Sequence, residues 1–245
     1  MDNYRRLKDF PTYIDESFYD LIDDIEIQRT IIREVISDIL LENKNPLVTV
    51  GILVGILNRK LECSGAAMFL ASRNFFRDSA TLILTLMELR LDLEFIANDA
   101  DNELKWISQE RTTKKLWRVT DQIISLKIDE NEKSADLKSY EFLSIIKHGN
   151  PAVGHLSFKI AAKSDKIIID EKNIAVNPKL LLSLLSYQFD KSFDAVLTIS
   201  KRNGIDLSSF QSRMTKIQAS IKIKSSKNTE EMISEYDDKK IVNND

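Results

Sequence analysis

ATLILTLMELRLDLEFIAN, residues 80–98, is the stretch on which the fold turns. At about 100° per residue, Leu82, Leu86, Leu89, Leu93 and Ile96 share one helical face. Leu84, Met87, Leu91 and Phe95 cover much of the opposite face. A helix apolar on two sides is sandwiched between neighbours. Its charges are squeezed into two flanks, Arg90 with Glu94 and Glu88 with Asp92. The pattern predicts a helix from about Ser79 to Asn98 inside a bundle.

The flanking sequence supports this. No Gly or Pro occurs between Thr12 and Asn45, or between Ala66 and His148. Strands need more frequent turn residues than that. Upstream, about Ile14 to Leu41 reads as an amphipathic helix, carrying Phe18, Leu21, Ile25, Ile32, Val35 and Ile39 at helical spacing. Its first half is acidic, which suits the positive end of a helix. Asn45-Pro46 breaks the chain, and Pro46 opens a second helix running to about Ser72. Gly51, Gly55 and Gly65 either weaken that helix, by about 1 kcal/mol each against alanine, or permit close packing.

Downstream, a fourth helix is expected over Asp101 to about Lys127, with Trp106, Leu116, Trp117 and Ile124 on its apolar side. DENEKSAD, residues 129–136, reads as a loop. A fifth helix follows from about Ala135 to His148 and stops at Gly149-Asn150-Pro151. HLSFKIAA and KIIIDEKNIAV, residues 155–162 and 166–176, are short and β-branched, and predict a β-hairpin. Asn177-Pro178 restarts a helix to about Arg202, and a last helix covers about Ser208 to Lys222. The expected fold class is mainly α. It is a single domain over residues 1–224, with six or seven helices and a small hairpin after the fifth. Residues 225–245 are expected to form a polar tail.

Composition excludes several classes. The chain has 245 residues, 35 Lys and Arg against 38 Asp and Glu, and a net charge of -3. A globally basic nucleic-acid protein is excluded, though a local basic patch is not. One Cys cannot form an internal disulfide. The longest apolar run, Leu47 to Leu57, is far below the roughly 18 residues of a membrane span. The N-terminus has no apolar signal core. A cytoplasmic protein without membrane contact is expected. Phosphate loops, nucleophile elbows and zinc-protease helices are absent. Two His and one Cys make no metal site, and no Glu-x-x-His pair exists for a di-iron bundle. No metal or cofactor is expected.

Three groups of residues remain as candidates. Tyr140, Ser144 and His148 lie four residues apart and line one stripe of the fifth helix. As a site, His148 is a base or acid near neutral pH, with Ser144 and Tyr140 as hydrogen-bonding partners. The ordinary alternative is a histidine that interacts with the negative end of its helix. Glu88, midway along the most apolar helix, is either a partner for His148 or part of a structural ion pair. Arg111, Lys114, Lys115 and Arg118 fall within one arc of about 100° on the expected fourth helix, with Arg73 and Arg77 nearby. They form either a phosphate-binding stripe for RNA or DNA, or a solvated face. Trp106 and Trp117 fall on the opposite, core side.

Taken together, Ala80–Ile96 and the Tyr140-Glu-Phe-Leu-Ser144-Ile-Ile-Lys147-His148-Gly-Asn150 helix end resemble an uncharacterised bacterial family, domain-of-unknown-function family 5677. The likeness spans about Ile52 to His155. It rests on a glutamate after a leucine-rich run and on an aromatic-x-x-x-Ser-x-x-x-His-Gly helix end. The family is in turn similar to HEPN and abortive-infection proteins, many of them ribonucleases or partners in toxin–antitoxin and phage-defence loci. The resemblance implies an all-helical bundle and a defence role. The HEPN arginine that precedes a histidine by four to six residues is missing, and Lys147 is the nearest basic residue before His148. Metal-independent RNA cleavage needs a base, an acid and a cation. His148 would supply one and Lys147 or a stripe arginine another. The expected function is RNA binding or cleavage. The alternative is a non-catalytic scaffold that engages a protein partner or forms a homodimer.

Overall fold

A computed structural model describes residues 16–42, 44–73, 75–108, 117–126, 129–148 and 178–221, and none of these is in a strand. The chain begins with α1 (Glu16–Glu42). A short α2 (Pro46–Val48) runs through a π-type stretch, Thr49–Val54, into α3 (Gly55–Ser72). Then come α4 (Phe76–Asn98), α5 (Ala100–Ile107), α6 (Val119–Ser125), α7 (Glu130–His148) and α8 (Pro178–Arg202). The last described helix, α9, covers residues 208–221.

The two-sided apolar pattern puts α4 in the middle. It packs against α3, α5, α6, α7 and α8. Ile83, Leu84, Leu86, Met87, Leu91, Leu93 and Ile96 are all buried. α1 lays Phe18, Leu21, Ile25, Ile32, Val35 and Ile39 into the same apolar cluster, against α8 and the π-type stretch. α9 runs antiparallel along α1. Arg213 pairs with Glu34, and Ser220 Oγ donates to Asp24 Oδ2 at 3.3 Å.

Of the three glycines in the second helical run, Gly65 alone makes a close approach. A Cβ there would lie 2.8 Å from Arg29 Nη2, whereas one at Gly51 would meet nothing within 4 Å. Gly204 takes φ 79° just beyond α8. There Ile205 N–H reaches the Ser200 carbonyl and Gly204 N–H the Lys201 carbonyl, a Schellman end. Lys44 Nζ donates to the Gly204 carbonyl at 2.9 Å, so the start of α2 is tied to this turn.

Two boundaries depart from the sequence expectation. DENEKSAD is not a loop: α7 begins at Glu130, and Asp129 Oδ1 accepts from the N–H groups of Asn131 and Glu132 at 2.8 and 3.0 Å. This is an N-cap, and it satisfies donors that the first helical turn leaves free. Asp101 to Lys127 is not one helix either. α5 ends at Ile107, and Arg118 is extended, with φ -81° and ψ 140°, before α6. Trp117 stacks on Trp106 with ring centroids 5.7 Å apart and lies 4.6 Å from Phe95. The tryptophans therefore pack inward, as expected. The expected hairpin, about residues 155–176, and the 225–245 tail lie outside the described residues.

Candidate functional site

His148 closes α7, though its side chain lies outside the described part. One and two turns before it, Ser144 and Tyr140 are half-buried, and Tyr140 packs against the core. Lys147 is exposed, and its carbonyl accepts from Arg77 Nη2 at 3.5 Å. That contact joins the end of α7 to the start of α4. Arg73 and Arg77 are both exposed there. Two aromatics stand beside them in the open: Phe69 at 61% and Phe75 at 57% exposure. The Arg73 guanidinium sits 5.7 Å above the Phe69 ring. The result is a small basic and aromatic surface at one end of the bundle.

Of the other expected stripe, Arg118 alone is among the described residues. Arg111, Lys114 and Lys115 lie outside the described residues. Arg118 is exposed and precedes α6 in extended backbone, not within a helix. Glu88 is half-buried on α4.

A second group, missed in the sequence, lies between α3, α4, α7 and α8. Arg90 is 1% exposed. Its Nη1 lies 3.4 Å from Glu94 Oε1. Its Nη2 lies 2.8 Å from Asp136 Oδ1, close enough for an ion pair but off the line of a good hydrogen bond. The Arg90 guanidinium also lies 5.4 Å from the Tyr187 ring centroid. Lys60 is fully buried. Its Nζ donates to the Gln188 carbonyl at 2.7 Å and sits 5.4 Å from the Phe189 ring centroid. Lys191 pairs with Glu132 at the rim.

Burial decides the titration of this group. It pushes the Lys60 ammonium down to about 7, helped by repulsion from Arg90. It pushes the Glu94 carboxyl up to about 7 against the pull of Arg90. At Arg90 burial opposes the charge, but the carboxylates of Glu94 and Asp136 outweigh it and hold the pKa above the ordinary value. The cations Arg90, Lys60 and Lys191 face the carboxylates Glu94, Asp136 and Glu132. The group therefore compensates its own charge, which marks a structural network rather than a binding site for an ionic ligand.

The missing signal was local. Asp129 followed three residues later by Glu132 is a helix-start pattern. Had it been read so, Glu132 and Asp136 would have fallen on one face of α7.

Among the described residues, no group of His, Cys, Asp and Glu can hold a metal ion. Cys63 is buried, and burial pushes its thiol pKa up, which makes it a poor nucleophile. No helix among the described residues is long and apolar enough to cross a membrane. In comparison with known proteins, the chain matches no family model, no curated protein and no solved structure.

Proposed function

We propose that this chain is a bacterial cytoplasmic protein of the defence or toxin–antitoxin type, and that it binds RNA at the end of the bundle where α3 turns into α4 and α7 stops. The observation that carries the reading is the Arg77 to Lys147 contact. It draws Arg77 to the residue beside His148, and Arg73 lies one turn back in the chain at the end of α3. Clustered cations attract the phosphate backbone and release its counterions. The exposed rings of Phe69 and Phe75 offer faces on which bases stack. In this reading His148 is the base or acid, Ser144 and Tyr140 assist it, and Lys147 is the nearby cation. The resemblance of Ala80–Ile96 and of the α7 end to domain-of-unknown-function family 5677 motivates the defence assignment, with the HEPN arginine missing.

The test is anisotropy of a labelled RNA titrated with protein across a salt series. Wild type should bind at low salt, with affinity falling as salt rises. The Arg73→Ala/Arg77→Ala variant should weaken binding and lower the salt slope by about 1.4, at roughly 0.7 per lost phosphate contact. RNA cleavage in EDTA, beside His148→Ala, then separates binding from catalysis. Absence of binding at low salt overturns the proposal.

A second reading has its own observation. Leu41, Leu47 and Leu104 are among the most exposed large apolar side chains of the described residues. A contiguous patch of such side chains is what a scaffold that meets a protein partner or a second copy presents. Light scattering across a concentration series, with Leu41→Glu as the comparison, tests for the second copy.

A further inference from the structure

We propose that α7 is an arm held to the bundle by charge, with Arg90 and Asp136 as its latch, and that it undocks locally while the rest stays folded. The latch does not depend on RNA binding. α7 is 19 residues long. Its described side chains, which leave out Ile145, Ile146 and His148, bury only Leu143 and Asp136 fully. Tyr140 and Phe142 are half-buried against the core. By contrast α8 buries Leu181, Leu182, Leu185, Phe189, Phe193, Val196 and Ile199.

Over the described side chains of α7, ion pairs accompany this small apolar burial. Asp136 reaches Arg90 of α4, and Glu132 reaches Lys191 of α8. Buried pairs of this kind hold geometry more than they add stability, because desolvation offsets most of the attraction. The network is also incompletely bonded. Arg90 Nε, Glu94 Oε2 and Asp136 Oδ2 are buried without a hydrogen-bond partner. Segments with little apolar burial are the ones that open first. α7 carries Tyr140, Ser144, Lys147 and His148, so its docking sets where those side chains stand.

Native-state hydrogen exchange on the full chain tests this. Amides of α7 should show protection at least about tenfold below those of α4. Asp136→Asn should lower protection in α7 and in the global-unfolding amides together, by about tenfold, while α7 amides keep a shallower urea dependence than those of α4. Glu132→Gln, at the rim, gives the same comparison if Asp136→Asn does not fold. Equal protection of α7 and α4 in wild type overturns the proposal. So does a urea dependence of exchange in α7 equal to that in α4.

Discussion

Arg90 shows how a single residue can carry a helix contact. Its guanidinium is sealed between Glu94, Asp136 and the Tyr187 ring. Removing it leaves the buried Asp136 carboxylate without its counter-charge. Arg90→Met should therefore cost about 3–5 kcal/mol in urea unfolding, the range for breaking a buried pair from one side. Arg90→Met with Asp136→Leu should recover much of that loss, since an apolar pair needs no compensation. Equal loss in the single and double variants would contradict the account. The sequence placed Arg90 and Glu94 in a narrow charged flank of α4. It did not show that the flank was covered, because the covering residue, Asp136, sits in a segment that reads as a loop.

At the scale of elements, Pro and Gly set boundaries outside residues 66–148, a stretch that contains neither. Pro46 and Pro178 open helical runs, and Gly204 closes α8 in a conformation that an L side chain avoids. Gly204→Ala should therefore destabilise by about 1–2 kcal/mol. Gly51 is the opposite case: an added methyl meets nothing within 4 Å, and the position is exposed. Gly51→Ala should stabilise by about 0.5–1 kcal/mol, through a less free unfolded chain and better helix propensity. Gly65→Ala should gain less, because its methyl would press on the Arg29 guanidinium. Urea midpoints of the three variants check the ranking. The expected long helix over Asp101 to Lys127 failed for a different reason. Trp117 turns to stack on Trp106 and Phe95, and that packing overrides a continuous helical pattern.

For the whole molecule, the buried charges predict an unusual pH response. Lys60 titrates near 7 in the folded chain, below its ordinary 10.5. The unfolded chain then binds the extra proton between those values, and stability rises with pH across that window. Glu94 titrates near 7, above its ordinary 4.5. Here the folded chain binds the extra proton, and stability falls as pH rises from 4.5 to 7. Asp190, pushed up to about 6 by burial and by Asp194, adds to that falling limb. These groups together contribute a stability minimum near pH 7. Lys60→Met should flatten the alkaline limb and Glu94→Gln the acid limb, read as urea midpoints from pH 5 to 9. Limbs unchanged in both variants would refute the assignment. The sequence by itself determined the helical class, the central place of α4 and most helix ends. Those follow from local spacing and from Gly and Pro, whose effects act within a few residues. Only the tertiary structure decided that Arg90, Lys60 and Asp136 share one sealed site, and that Arg77 meets the end of α7. Burial and charge compensation depend on which helices lie side by side, and no periodicity within one helix encodes that.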